Sequence, residues 1–398
     1  MVKKWIYGFT STLVGFAFIG IGLSANCAAQ IDNRLVNANN DFGFRLFRQV
    51  TSGQPLKNVT ISPYSVSAAL YMTYNGSAGS TRGAMASTLG LDGMTPAMVN
   101  NGSQALMKSL KRPDPLIEFQ SANSLWTKVG YPINQNFINQ SKRYYNADVS
   151  SLKGAPGTIN AWVSRNTKGR IPKIVNSVHP LAVLFLVNAT YFKGQWQTKF
   201  DKALTQDADF HLANNTIKKV KMMRQIGDQW YLKGNHFQAV KLPYGKGRMS
   251  MYIFLPDPDS NLPSFLKVLD SRNWHSWMSG FTNKEVEIGL PRFKMEWGQS
   301  LADALQSMGM TIAFTPGKAD FANITPDRNA YIYDVMHKTF IKVDEEGTEA
   351  AAATSVEIRT KAVRVIPRVV MDRPFFYAIR DESTGTVLFM GTVGEPVE

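Results

Sequence analysis

The chain has 398 residues, 44% hydrophobic and 19% charged, a balance that excludes an intrinsically disordered protein and supplies enough apolar material for a large core. Its formal net charge of +14 favours acidic partners through long-range attraction, but the basic residues are scattered in short clusters such as Lys218-Lys219-Val220-Lys221 and Lys168-Gly169-Arg170. No finger, homeodomain or aromatic RNA-binding signature accompanies them, so they read as solvated surface and no nucleic-acid partner is expected.

At the start of the chain, Lys3 and Lys4 precede an apolar run from Trp5 to Leu23, and small residues follow at Cys27-Ala28-Ala29. That order describes a secretory signal over residues 1–29, cut after Ala29, which predicts a secreted or extracytoplasmic product. The run approaches spanning length, so an uncleaved anchor is the alternative; after cleavage no membrane span is expected. Cleavage also removes Cys27, the only cysteine, leaving no disulfide and no cysteine-based metal site.

From Asn33 the apolar residues Leu35, Phe42, Leu46 and Val50 recur at helical spacing, and Ser62-Pro63 opens a second helix running through Val66 to Tyr74. The N-terminal third is therefore expected to be mainly helical. Later the pattern changes. "LAVLFLVNATYF" (181–192), "MSMYIFLP" (249–256) and "VLFMGTV" (387–393) are continuous apolar runs suited to strands buried on both faces. "PDPDSNLP" (256–263) is a local turn cluster, and with no linker or internal repeat a single domain is expected over residues 30–398.

Catalytic machinery is hard to find. The five histidines, His179, His211, His236, His275 and His337, form no His-Glu-x-x-His pair, and no nucleophile elbow or phosphate loop occurs. Neither an enzyme nor a metal or other cofactor is expected.

The residues that demand an explanation lie at "EEGTEAAAATSVEIRTK" (345–361), where a helix-prone alanine block leads into an alternating run. Thr348, Ala350, Ala352, Thr354, Val356 and Ile358 are small or apolar, while the intervening register carries every charge, which is the period of a half-buried strand. On pattern alone, an ordinary surface strand or an exposed alanine-rich helix is the favoured explanation of the segment.

Several separated motifs point further: "NVTISPYSVSAAL" (58–70), "LVNATYFKGQW" (186–196), "DFANIT" (320–325), "VDEEGTEAAAAT" (343–354) and "DRPFFYAIRDESTGTVLFMGTV" (372–393). Taken in this order, from about Asn33 to Pro396, the chain resembles the serpins, the serine protease inhibitor family. The resemblance implies an α+β fold in which N-terminal helices pack on a large mixed sheet with smaller sheets and an exposed reactive loop. It implies a monomer that is a suicide substrate: a serine protease attacks the loop, and the cleaved loop inserts into the main sheet, trapping the acyl-enzyme.

Carried onto this sequence, the hinge comprises Glu345, Glu346, Gly347, Thr348, Glu349, Ala350, Ala351, Ala352, Ala353 and Thr354. The family's spacing places the reactive bond between Lys361 and Ala362, with Arg359 and Arg364 as alternatives because the segment from Ala362 to the "RVVMDRPFF" return is about two residues longer than in the compact members. A basic residue there suits a trypsin-like protease with an acidic specificity pocket. Ser62, Asn188 and His337 match the polar cluster beneath the main sheet, called the shutter. Trp196 and Arg292 match the breach where the loop inserts, Arg292 pairing with Glu345. A non-inhibitory carrier or chaperone is the alternative within the family, since a fold does not guarantee its mechanism.

Overall fold

The computed structural model describes residues 1–2, 8, 31–111, 114–348 and 366–398. Almost all of the proposed signal segment, the hinge from Glu349 to Thr354, and the reactive-bond candidates Arg359, Lys361, Ala362 and Arg364 lie outside the described residues.

The first half alternates helices with a few strands: α1 (Asn33–Thr51), β1 (Val59–Ile61), α2 (Pro63–Gly76), α3 (Gly79–Leu89), α4 (Pro96–Leu110), β2 (Ile117–Thr127), α5 (Gln135–Tyr145), β3 (Asp148–Ser151) and α6 (Gly157–Asn166). The second half is mainly strand: β4 (Leu184–Gln195), β5 (Gln206–His211), β6 (Ile217–Gly234), β7 (Phe237–Tyr244) and β8 (Met249–Pro256). Two short helices, α7 (Leu262–Val268) and α8 (Ser271–Gly280), precede β9 (Thr282–Pro291), β10 (Phe293–Ser300), β11 (Ile332–Val343), β12 (Gly347–Thr348), β13 (Arg368–Val370), β14 (Phe375–Asp381) and β15 (Val387–Val393).

Local chemistry sets the boundaries. The Asp32 carboxylate accepts the Arg34 N–H to cap α1, whose buried stripe includes Leu35, Phe42 and Leu46. Ser62 caps α2 and Pro63 occupies its first turn, where a missing N–H costs nothing. Nearly every residue of α2 is buried, because it runs between the two sheets and touches β2, β4 and β15.

The strands form two sheets, giving the expected α+β arrangement. One has the order β1-β15-β14-β8-β7-β6-β9-β13, with β5 added onto β6; the other has the order β10-β11-β4-β2-β3, with β12 added onto β4. The continuous apolar runs become β4, β8 and β15, which are buried almost throughout because packed layers cover both faces. The basic cluster at 218–221 sits on β6, where Lys218, Lys219 and Lys221 pair with Glu395, Asp209 and Asp207.

In the six-stranded sheet, β11 runs parallel to β4 from Ile332↔Leu184 to Ile341↔Phe192, and β2 runs antiparallel on the other side of β4. Beyond Phe192 the β11 and β4 strands no longer pair with each other, and β12 is hydrogen-bonded to β4 at that fork. This sheet positions the site.

Candidate functional site

Register lines up the centre of the sheet. Asn123 on β2 stands opposite Asn188 on β4, which stands opposite His337 on β11; two residues along, Ser121, Thr190 and Thr339 form a second row. Residues two apart on a strand face the same side, so both rows point at the N-terminus of α2.

Ser62 donates its backbone N–H to His337 Nε2 at 3.0 Å and its hydroxyl to the Leu388 carbonyl at 2.6 Å. Because Nε2 accepts, the His337 proton sits on Nδ1, which hydrogen-bonds Asn188 Oδ1. The Asn188 amide then donates to Asn123 Oδ1 and to Ser65, and Thr190 donates to Ser65 Oγ at 2.7 Å. Ser62, Asn188 and His337 are fully buried, and burial pushes the His337 pKa down to about 3. The imidazole is therefore neutral at physiological pH. A network of this kind ties three strands to α2 with each of these polar groups hydrogen-bonded, at high cost if one member is removed.

At the fork the chemistry is ionic. After β11, the backbone turns at Asp344 to Gly347, closed by reciprocal N–H to O bonds of 2.8 and 3.1 Å. Glu345 pairs with Arg292 at 2.7 Å and accepts the Thr205 hydroxyl; Glu346 pairs with Lys199 at 2.7 Å and Lys202 at 2.9 Å. Burial pushes the Glu345 carboxyl up, but the Arg292 and Thr205 hydrogen bonds outweigh it and hold the pKa below the usual range. Asp344 is shifted upward by burial.

Trp196 fastens the same turn: its indole N–H donates to the Asp344 carbonyl at 2.9 Å, and its backbone N–H donates to the Glu346 carbonyl at 2.9 Å. Its ring stacks on Tyr244 with centroids 4.4 Å apart. Gly347 has φ +138°, and a side chain there would collide with the Gly194 carbonyl and the backbone of Gln195 and Trp196.

Gly347 and Thr348 thus belong to the sheet, and Glu345 and Glu346 to the buried turn that leads into it, rather than to an exposed loop. Thr348, opposite Gly194, is fully buried, and its hydroxyl meets the Tyr244 hydroxyl at 3.0 Å. The wall beneath it is aromatic, with Phe192 packed edge-on against Tyr244. Sequence reading missed Tyr244, Thr205, Lys199, Lys202, Ser65, Asn123 and Thr190. Only register and packing bring them to the site, and nothing local in the sequence marks them.

Two sheets joined by a buried helix, with the short β12 strand paired to β4 at the fork of a parallel pair, make up an α+β fold. The chain belongs to the serpin family: the family model described as Serpin (serine protease inhibitor) matches residues 37–396. It is 34% identical to Serpin B8 of Homo sapiens, covering 91% of this chain and 99% of the relative. It is 32% identical to the leukocyte elastase inhibitor of Homo sapiens, covering 91% and 100%. The crystal structure of a thermophilic serpin, tengpin, in its native state superposes with a TM-score of 0.86 at 33% identity, covering 92% of this chain and 95% of that one.

No helix among the described residues is long and apolar enough to cross a membrane, and no group of His, Cys, Asp and Glu among them could hold a metal ion.

Proposed function

We propose that this protein is a suicide-substrate inhibitor of trypsin-like serine proteases, acting as a monomer and exported by way of residues 1–29. Cleavage between Lys361 and Ala362 leaves the protease esterified to Lys361, with the hinge free to continue as a strand between β4 and β11. Ser62, Asn188 and His337 act as the shutter that must part, while Trp196, Arg292 and Glu345 hold the breach.

The observation that carries this reading is the seat of Thr348: its side chain already faces the aromatic wall at the fork, and the residues that would face inward after it, Ala350 and Ala352, are small. Small inward residues can pass between existing strands without opening a wider gap. The leukocyte elastase inhibitor among the relatives, by its name a protease inhibitor, supports the same class of activity.

The test is incubation of the mature protein with trypsin at near-equal molar amounts, followed by a denaturing gel and mass spectrometry of the released C-terminal peptide. A denaturant-stable adduct with a peptide beginning at Ala362 is the expected result. A peptide beginning after Arg359 or Arg364 would move the bond, and complete cleavage without adduct would favour a carrier or chaperone.

A further inference from the structure

On the outer face of the nine-stranded sheet, Asp228 of β6 stands directly opposite Glu285 of β9. Side chains opposite each other in an antiparallel pair share a face, so two carboxylates meet there, and neither forms an ion pair among the described residues. Like charges in that position destabilise a sheet. The cations of the neighbouring rows are already engaged: Arg224 and Arg368 each hold Glu287 at 3.1 Å, and Lys241, opposite Trp230, holds Glu382 at 3.1 Å. On a chain of net charge +14, such an acidic spot calls for cations supplied from outside.

Apolar side chains frame the pair. Ile226 and Trp230, two residues to either side of Asp228 on β6, point to the same face and are 63% and 41% exposed. Tyr231, Val286 and Ile288 take the opposite face and are buried. Position then indicates a partner. Ile226 on β6, Glu287 on β9 and Arg368 on β13 form one row across three strands, and neighbouring strands stand about 4.8 Å apart. Lys361 precedes Arg368 by seven residues, so the chain between them spans at most about 25 Å. A serine protease of about 220 residues has a radius of gyration of about 17 Å, so an enzyme attacking at Lys361 comes within reach of this row.

We propose that Asp228, Glu285, Ile226 and Trp230 form a second contact surface for the target protease, outside its cleft, which selects enzymes carrying a lysine- or arginine-rich loop beside the active site. This surface presupposes the inhibitory function proposed for the chain and adds to it which trypsin-like proteases are taken. Cations of the protease neutralise the opposed carboxylates, and Ile226 and Trp230 are covered in the encounter complex, before any bond is cleaved. The surface therefore governs the rate of association and leaves the later trapping step alone.

The experiment measures the second-order rate of adduct formation by the full chain with cationic and with anionic trypsin, which share a preference for cleaving after Lys or Arg and differ in surface charge. Asp228→Asn with Glu285→Gln should slow cationic trypsin by about tenfold at low salt, leave anionic trypsin unslowed, and keep the molar ratio for complete inhibition unchanged. Added salt should shrink that difference. The same variant should melt at a higher temperature than the parent chain because the opposed charges are gone, whereas loss of a merely structural contact would lower both stability and rate. Asp228→Lys, which supplies Glu285 with a cation, should turn the preference toward anionic trypsin. Equal slowing of both enzymes, or unchanged rates with both, would overturn the surface. Absence of any adduct from the parent chain with either trypsin is a different failure: it removes the inhibitory function, and the surface with it.

Discussion

Beneath the middle of the six-stranded sheet the hydrogen-bonding partners are uncharged and dry, whereas at its forked end they are carboxylates and cations partly reached by solvent. Ser62, Asn188 and His337 are fully buried, while Arg292 keeps 32% of its side chain exposed and Lys202 keeps 56%. The two regions hold the same strands by different means. A neutral buried network is insensitive to salt but fails sharply when one member is lost, whereas ion pairs at a wet edge weaken gradually as salt screens them. A sheet that must stay shut and yet admit a strand from one end is well served by that division.

The largest effect is expected at the boundary between the two regions. Thr348→Arg would force a cation against Tyr244 and Phe192 with no partner. Inhibition should be lost with cleavage retained, so that the denaturing gel shows cleaved protein and no adduct; an undiminished adduct would dissociate the fork from the inhibitory step.

Next comes the middle of the sheet. His337→Ala removes the acceptor of the Ser62 N–H and the donor to Asn188, at about 1–3 kcal/mol for each group left unsatisfied. The melting temperature should fall, and size-exclusion chromatography after mild heating should show more self-associated protein. An unchanged monomer yield would remove the proposed shutter role.

Acid should act on the same residue. The unfolded chain protonates His337 near pH 6.5, but the folded chain keeps it neutral down to about 3. Between those values the unfolded state binds the extra proton, so this contribution is complete above pH 6.5 and declines by about 1.4 kcal/mol per pH unit as pH falls. Denaturant melts across that window should be flatter in His337→Gln than in the parent chain; identical slopes would place the acid sensitivity elsewhere.

The smallest change is expected at the fork. Arg292→Gln leaves Glu345 with Thr205 but without its cation, at a cost of about 1 kcal/mol given the exposure of the arginine. Its signature is a reduced dependence of stability on salt, a dependence that His337→Ala should leave intact. If both variants respond to salt alike, the division between a dry middle and an ionic end is wrong.

Much of the frame was legible in the residue order. Ser62-Pro63 announces a helix start, the unbroken apolar runs announce strands covered on both faces, and the separated motifs announce the family. His337 and Asn188 were found by that resemblance, and Arg292 with Glu345 likewise. Their partners were not found, because Ser65, Asn123 and Thr190 are ordinary uncharged polar residues within helix and strand segments, where sequence gives no sign of which neighbour satisfies them. Lys199 and Lys202 looked like ordinary surface charge until the chain turned Glu346 back toward them.

What the sequence determined by itself is local: capping, periodicity, and the alternation of small and charged residues after Gly347 depend on bonds and neighbours within a few positions. The tertiary structure alone decided that Asn123, Asn188 and His337 share a row and that Thr348 meets Tyr244. The reason is register: sliding one strand by a single residue would turn each of these side chains to the opposite face, and that choice is made by packing of the whole sheet on α2.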